Sequence, residues 1–205
     1  MKDSQNFKTL SLFTSVIAFV LIANVAAARN SIFPNVEVKT IGVSKKIKIA
    51  ISELKQTAQI SIKTQDGRQL LSETIKSPSF AKLYNLELLN VGEYLVQITS
   101  GQKELEQPFS VTEQKLLMDN RKRREFLIPT VRLAQKKVNV MMLNTRMTDV
   151  KIQIKNEYGD VLLNEELDSV VKVEKQYNIA ALKRGRYQVV ISTPEKTYYE
   201  NFINK

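Results

Sequence analysis

The sequence predicts an all-β protein built from two tandem antiparallel β-sandwich domains. Two observations support this prediction. Apolar and polar residues alternate with a period of two along much of the chain, and the pattern of the first half recurs in the second half. A period of two is typical of strands that bury one face, whereas the apolar residues of a helix recur about every 3.6 residues.

The alternation divides each half of the chain into short strands. It is clearest at Lys46–Ile51, Ala58–Lys63 and Tyr94–Ile98 in the first half, and at Lys137–Val140 and Val150–Lys155 in the second. Turn-forming pairs such as Asp-Gly and Ser-Gly separate these runs. Short strands at such spacing predict about six or seven strands in each half, arranged in two antiparallel sheets.

An internal repeat indicates how the chain is divided into domains. Residues 82–98 read KLYNLELLNVGEYLVQI, and residues 175–191 read KQYNIAALKRGRYQVVI. The identities at matching positions are Lys82/Lys175, Tyr84/Tyr177, Asn85/Asn178, Leu89/Leu182, Gly92/Gly185, Tyr94/Tyr187, Val96/Val189 and Ile98/Ile191. This ordered set of matches indicates that one small domain was duplicated.

Each copy contains the pattern Leu-x-x-Gly-x-Tyr-x-Val-x-Ile, which favours an immunoglobulin-like sandwich. In such folds a tyrosine near the start of the penultimate strand donates its hydroxyl to the backbone of the preceding corner. We expect the leucine to fill the core, the glycine to allow a tight turn and the tyrosine to make the corner hydrogen bond. The predicted corner residues are Leu89, Gly92 and Tyr94 in the first copy and Leu182, Gly185 and Tyr187 in the second.

Residues 1–28 have the layout of a secretory signal peptide. Lys2 and Lys8 precede the apolar run Leu10–Ala23, and the small residues Ala26 and Ala28 supply a cleavage motif. An uncleaved membrane anchor is the alternative, although a spanning helix needs about 20 apolar residues and this run is shorter. After cleavage we expect no membrane span.

The leader and the repeat together divide the chain into five segments. These are a signal peptide at 1–28, an N-terminal linker at 29–35, a first sandwich at 36–112, a basic linker at 113–125 and a second sandwich at 126–205. In the linker between the copies the alternation stops, and polar and charged residues predominate.

The basic linker holds the densest charge in a chain whose net charge is +10. Its four consecutive basic residues could contact an anion such as a phosphate or an acidic sugar, whereas a solvated linker is the favoured interpretation. Surfaces that bind single-stranded nucleic acid combine basic residues with aromatic ones, and this segment lacks that combination. We therefore expect no specific nucleic-acid partner. The residues considered for anion contact are Arg121, Lys122, Arg123 and Arg124.

The composition argues against an enzyme. Cysteine and histidine are absent, which removes thiol catalysis, the commonest general base and the commonest metal ligand. Asp66, Asp160, Glu165 and Glu166 remain as acid–base candidates, but no motif pairs any two of them. Neither a glycine-rich phosphate loop nor a nucleophile elbow occurs. The sequence thus predicts no catalytic residue, no cofactor and no metal site.

Both copies resemble the immunoglobulin-like C-terminal sorting domains of the bacterial type IX secretion system. The resemblance rests on a strand pair joined near a glycine at Ile60–Leu71, on the segments Leu89–Ile98 and Leu182–Ile191, and on a closing strand at Tyr198–Ile203. It implies an immunoglobulin-like fold and an envelope-associated setting. It implies no catalytic activity.

These observations favour an exported, non-catalytic protein of the periplasm, the cell surface or the extracellular space. Its sandwiches would present a surface for contact with other molecules, and the expected partner is an envelope protein or a surface glycan. The alternative is a dedicated glycan-binding module, which would need exposed aromatic side chains. The candidates for glycan contact are Tyr158, Tyr198 and Tyr199.

We predict that the exported protein begins close to Arg29. Signal peptidase accepts small residues such as Ala26 and Ala28 before the cut, so N-terminal sequencing of the exported chain should start there. Replacing both alanines with lysine should leave the leader attached and raise the mass of the exported chain. An exported protein that still begins at Met1 would contradict the prediction.

Overall fold

The computed structural model describes Phe33 and residues 35–205. The predicted signal peptide at 1–28 lies outside the described residues, as does most of the N-terminal linker. Within the described part, every regular element is a β-strand except one short 3₁₀ turn at Asn120–Lys122. The predicted all-β class is confirmed.

The first copy forms two antiparallel sheets from seven strands. The strands are β1 (Val36–Thr40), β2 (Lys46–Ile51), β3 (Ala58–Thr64), β4 (Gln69–Ile75), β5 (Phe80–Asn85), β6 (Gly92–Ser100) and β7 (Lys103–Val111). One sheet has the order β1-β2-β5, and the other contains β4-β3-β6-β7. Because β4 pairs with β3 and not with β5, this is the immunoglobulin-like sandwich with its fourth strand in the sheet of the third.

The segment between the copies extends the larger sheet. β8 (Leu116–Met118) and β9 (Arg124–Leu127) both pair antiparallel with β7, on the edge opposite to β6. The expectation that strand structure stops across residues 113–125 is therefore wrong for these two stretches. They are too short to show an alternating pattern in the sequence, and their pairing satisfies backbone groups of β7 that would otherwise be left open.

The second copy repeats the arrangement of the first. Its strands are β10 (Thr130–Ala134), β11 (Lys137–Leu143), β12 (Val150–Asn156), β13 (Val161–Leu167), β14 (Lys172–Asn178), β15 (Gly185–Ser192) and β16 (Thr197–Asn204). The sheet orders are β10-β11-β14 and β13-β12-β15-β16. Phe126 and Leu127, expected at the start of the second copy, belong to β9 and pair with β7. The other domain boundaries remain a prediction.

One hairpin shows how closely the copies correspond. The β3–β4 and β12–β13 pairings each contain a register shift, after Ile62 in the first copy and after Ile154 in the second. Both hairpins turn at a glycine with a φ of +87°, which is Gly67 in one and Gly159 in the other. A left-handed φ is unfavourable for a residue with a β-carbon, which explains glycine at both turns.

Each copy has its own apolar core between its two sheets. The alternating residues point inward as the period of two predicts. They include Ile47, Ile49, Ile60, Ile62, Val96 and Ile98 in the first copy and Val138, Val140, Ile152, Ile154, Val189 and Ile191 in the second. Complete burial of one such side chain contributes about 1.5–3 kcal/mol. Since the chain has no cysteine, this burial and the strand pairing must hold each sandwich together without disulfides.

The two corner tyrosines make equivalent hydrogen bonds. Tyr94 Oη donates to the carbonyl oxygen of Asn90 at 2.9 Å, and Tyr187 Oη donates to that of Lys183 at 2.8 Å. Each acceptor lies four residues before its tyrosine. The hydroxyl therefore spans the corner that leads into β6 or β15.

The leucines and glycines of the corner pattern behave differently from one another. Leu89 and Leu182 pack against the cores of their copies. Gly185 does not have a left-handed φ, and Gly92 has a φ of +159°, close to extended backbone. A β-carbon at either glycine would lie 3.8 Å from the corner tyrosine ring, an ordinary contact. The expectation that these glycines permit a tight turn thus has no basis at Gly185.

We predict that Tyr187→Phe lowers the free energy of unfolding by about 1 kcal/mol, because the carbonyl of Lys183 loses its donor in a partly buried place. Tyr94→Phe should cost less, since its hydrogen bond is exposed to solvent. Urea unfolding of the mature chain would measure both. Tyr158→Phe is the matched control, as Tyr158 is exposed at a turn. Equal midpoints for Tyr187→Phe and the control would contradict the corner role.

Candidate interaction surfaces

A carboxylate, a lysine and a tyrosine connect the two sheets at one edge of the first sandwich. Glu73 on β4 accepts hydrogen bonds from Lys82 Nζ at 2.7 Å and from Tyr84 Oη at 2.9 Å, both on β5. β4 and β5 belong to different sheets, so this edge cluster links them through side chains. The hydrogen bond from Lys82 lowers the pKa of Glu73, while burial and the nearby Glu73 raise the pKa of Tyr84.

The second copy contains the same edge cluster. Glu165 on β13 accepts from Lys175 Nζ at 2.6 Å and from Tyr177 Oη at 2.7 Å, both on β14. The hydrogen bond from Lys175 lowers the pKa of Glu165, and burial raises the pKa of Tyr177. Neither group exchanges a proton near neutral pH, so the cluster acts as a structural clamp. The sequence signal for it was the Lys-x-Tyr identity in both copies of the repeat.

The carboxylates considered for acid–base chemistry do not come together. Asp66 and Asp160 are each hydrogen-bonded within their own turn, and Glu166 pairs with Lys151 on the neighbouring strand. Glu165 lies in the edge cluster of the second copy. Across residues 35–205, no group of three or more acidic side chains is placed to hold a metal ion. In the same range, no helix has the length and apolar character needed to cross a bilayer.

The two copies meet at a buried pair of carboxylates. Glu104 and Glu106 on β7 are only 5% and 6% exposed. Lys196, in the turn between β15 and β16, donates to both and lies 2.7 Å from Glu106. Gln97 completes the hydrogen bonding of Glu104 at 2.6 Å, and Arg124 contacts Glu106 at 2.8 Å. This junction supplies the charge compensation that buried carboxylates require.

An aromatic ring lies at the centre of the same junction. Phe126 on β9 is buried, and the Lys196 ammonium lies 4.9 Å from its ring centroid. The guanidinium groups of Arg124 and Arg146 each lie 5.8 Å from it. Arg146 comes from the loop between β11 and β12 of the second copy. The ring faces of aromatic side chains attract cations, so Phe126 stabilises the convergence of three positive charges, two from the second copy and one from the connecting segment.

Charge compensation at the junction outweighs burial. Burial by itself would raise the pKa of Glu106, but the hydrogen bond and positive charge of Lys196, supported by Arg124, lower it below the ordinary value. Glu106 is therefore ionised at neutral pH. It binds the second copy to the first through an ion pair that solvent reaches poorly, where screening by salt is weak.

The basic segment considered for anion contact is largely occupied by contacts within the chain. Arg121 pairs with Asp119, and Arg124 pairs with Glu106. Arg123 donates to the carbonyl oxygens of Phe33 and Val36 at 3.0 Å and also pairs with Glu125. Lys122 is exposed on the 3₁₀ turn. The four residues thus do not form one open cationic patch.

The three tyrosines considered for glycan contact lie in different places. Tyr199 is exposed on β16, whereas Tyr198 is half-buried beside Lys196 at the junction. Neighbouring residues of a strand point to opposite faces, so these two cannot share a surface. Tyr158 is exposed at the turn that follows β12, whereas Tyr199 lies in the middle of β16, opposite Val190 of β15. These two tyrosines are therefore also apart. The structure does not bring the three into one platform.

Tyr199 belongs to the outer face of the larger sheet of the second copy. Tyr199 and Ile203 on β16 are 63% and 55% exposed. Two cross-strand amide pairs share this face, Gln153 with Asn164 at 2.9 Å and Gln188 with Asn201 at 3.0 Å. A groove of about 770 Å³ runs along its end, bordered by Lys155, Arg186, Tyr187, Gln188, Asn201, Phe202 and Ile203 among others. We call this surface the outer face of the second copy.

Comparison with known proteins gives a family match in the region of the first copy. Residues 31–112 match the family model of the secretion system C-terminal sorting domain. The match spans less than half of the chain and coincides with the first sandwich. It supports the resemblance expected from the sequence and indicates an exported protein whose first module is non-catalytic.

Solved structures of low similarity also align with the chain. They include the BSP domain of a biofilm-associated protein, at 11% identity and a TM-score of 0.29, with 82% of this chain and 29% of that chain covered. The FN1-FN3 domains of chicken CNTN1 give 11% identity, a TM-score of 0.28 and coverages of 82% and 63%. The chain spans less than two thirds of either, and we infer nothing from likenesses at this level. No curated protein matches the chain.

We predict that Lys196→Met destabilises the chain by roughly 3 kcal/mol at neutral pH, because it leaves two buried carboxylates with too little positive charge. Lys39→Met is the matched control, since Lys39 forms an exposed ion pair with Glu37, a type that contributes little. Urea unfolding would measure both variants.

The pH dependence gives a second test of the same change. In the wild type the lowered pKa of Glu106 contributes stability above the unfolded pKa of about 4.3, and this contribution is lost as the pH falls through the folded value. In Lys196→Met, burial should raise the pKa of Glu106 instead. The stability gap between variant and wild type should therefore narrow on acidification from pH 7 to pH 4. A constant gap would contradict this account of the junction.

Proposed function

We propose that this chain is an exported, non-catalytic protein of the cell envelope or cell surface that binds a protein partner through the outer face of the second copy. One observation carries the proposal. The equivalent face of the first copy is covered at Glu104 and Glu106 by the β15–β16 turn of the second, whereas the second copy leaves Tyr199 and Ile203 exposed. The outer face of the second copy is thus open to contact with another molecule at Tyr199 and Ile203.

The chemistry of this face suits a protein partner. Tyrosine is enriched at protein interfaces because a large ring buries much apolar area while its hydroxyl stays hydrogen-bonded. Lys151 pairs with Glu166 on the same face, and Lys155 and Arg186 border the groove. Tyr199 and Ile203 lie on the edge strand β16, and charged side chains lie elsewhere on the same face; protein interfaces combine such exposed apolar side chains with charged ones. The match of residues 31–112 to a sorting domain supports a location outside the cytoplasm.

A surface glycan is the second candidate partner. The amide pairs Gln153–Asn164 and Gln188–Asn201 lie beside Tyr199 on one face. Side-chain amides offer both donors and acceptors to hydroxyl groups, and the tyrosine ring offers an apolar face to a sugar. This observation favours a glycan at the same surface and not at the turn that carries Tyr158.

A capture experiment from envelope extracts tests the proposal. The mature chain would be immobilised as wild type, as Tyr199→Ala and as Tyr158→Ala, the last being a matched loss of an exposed tyrosine elsewhere. We expect the wild type and Tyr158→Ala to retain the same partner, and Tyr199→Ala to lose most of it. Capture that Tyr199→Ala does not weaken would contradict the assignment of the outer face.

Two further treatments separate the candidates. Protease treatment of the extract should abolish capture of a protein partner, whereas periodate oxidation of the extract should abolish capture of a glycan. Fractionation of the source cells, followed by protease treatment of intact cells, tests the location. A chain found only in the cytoplasm would contradict export.

A further inference from the structure

The last strand of each copy has the same place in its sandwich but not the same neighbours. β7 pairs with β6, and β16 pairs with β15, through matching registers that place Phe109 beside Tyr94 and Phe202 beside Tyr187. The rings of each pair stack, with centroids 5.6 and 5.4 Å apart. On its other edge β7 also pairs with β8 and β9, whereas β16 has no second partner within residues 35–205.

β8 closes the core of the first copy at this edge. Leu116 on β8 is 4% exposed, and Phe109 on the neighbouring strand β7 is 2% exposed. Met118 packs against the same core and pairs with Phe109. In the second copy Phe202 stays partly exposed and borders the groove along the outer face. Among residues 35–205, no apolar strand therefore completes the second sandwich at the position where β8 completes the first.

The free edge of β16 is suited to backbone pairing. The strand reads TYYENFIN and contains no lysine or proline, the residues that commonly protect exposed edges. Thr193 N donates to Lys196 O in the β15–β16 turn, which fixes the alternation of hydrogen-bonded pairs along the hairpin. By this alternation the N–H and C=O groups of Tyr199, Asn201 and Ile203 point away from β15, toward the free edge.

We propose that the edge of β16 accepts an extended strand of the partner protein, antiparallel to β16 and apolar at alternate positions. The proposal rests on the proposed function and gives its mode of binding, the addition of a strand to an existing sheet. β8 shows the required chemistry, with the Leu116 and Met118 positions facing Asn204 and Phe202 if the register of β7 and β8 is repeated. At the same register the partner strand carries a basic residue opposite Glu200.

A second copy of this chain fits the edge less well. Pairing of β16 with another β16 would bring a second Glu200 into the apolar edge beside Phe202. Burial of a carboxylate without a cation is costly, and like charges on adjacent strands repel one another. The negative charge of Glu200 instead favours a strand that brings a positive charge.

A peptide experiment tests the proposal with a defined probe. A labelled peptide of residues 112–120, with the sequence TEQKLLMDN, would be titrated into the full mature chain. Fluorescence anisotropy of the peptide and amide chemical shifts of the chain would report binding. We expect saturable binding, with the largest shifts at Tyr199, Asn201 and Ile203. A peptide with asparagine in place of Leu116 and Met118 should not bind, because it loses the apolar side chains. A peptide with Asn120→Lys should bind more tightly, because the new lysine faces Glu200.

Variants of the edge separate strand addition from side-chain contact. Asn201→Pro removes an N–H that points to the free edge and spares the pairing with β15, so it should weaken peptide binding at least about tenfold. Asn201→Ala is the matched control, because it removes the same amide side chain but keeps the N–H. Ile203→Pro and Ile203→Ala form a second pair in case Asn201→Pro does not fold, which circular dichroism and urea unfolding would show.

Two results would overturn the proposal. One is absence of binding by every peptide, and the other is equal binding by the proline and alanine variants. In the capture experiment, a partner that Asn201→Pro and Ile203→Pro retain but Tyr199→Ala loses would also overturn strand addition. That last result would leave the proposed function intact, so the failures of the two proposals are distinguishable.

Discussion

The buried carboxylates Glu104 and Glu106 constrain the whole protein. They lie on the outer face of the first larger sheet, and burial of two acidic groups at one place requires a nearby cation. Lys196 supplies that cation from the second sandwich, and Arg124 adds one from the connecting segment. The connecting segment runs along β7 as β8 and β9, and the pairing of β9 with β7 places Phe126 and Arg124 at the same junction. β7 is thus at once a strand of the first sandwich, the partner of the connecting segment and the site of contact with the second copy.

The features that the sequence predicts and those that it misses differ in their physical origin. Alternation such as Ile47–Ile49 and Val138–Val140 reveals strands because each strand buries one face, a local property with a fixed period. The junction has no such period, since Lys196 meets Glu106 only after both sandwiches have folded. β9 is not predicted because its four residues are too few to show an alternating pattern. The edge clusters are predicted only in part. The repeated Lys-x-Tyr can be read from the sequence, but the contact of Glu165 with it depends on how the two sheets pack.

The corresponding registers of the two copies show that the same sheet face differs between them. By the pairing with β6 and β15, Glu104 and Glu106 of β7 correspond to Thr197 and Tyr199 of β16. The same sheet face therefore carries buried acids in one copy and an exposed ring in the other. A face that docks internally cannot also serve an external partner. Where the first copy has the buried Glu106, which contacts the second copy, the second copy has the exposed Tyr199.

An open, aromatic edge strand is a hazard for an exported protein, because it can pair with any other strand, including its own copy. Glu200 limits that hazard. Its side chain lies on the core-facing side of β16 opposite Val189, at the margin where a second strand would add. A strand without a positive charge at this place leaves the carboxylate unpaired at its edge, so it should bind less tightly than a strand that carries a lysine or an arginine there. The charge that weakens pairing between identical copies is thus the one that would select a basic strand, so protection against aggregation and recognition of a partner arise from a single residue.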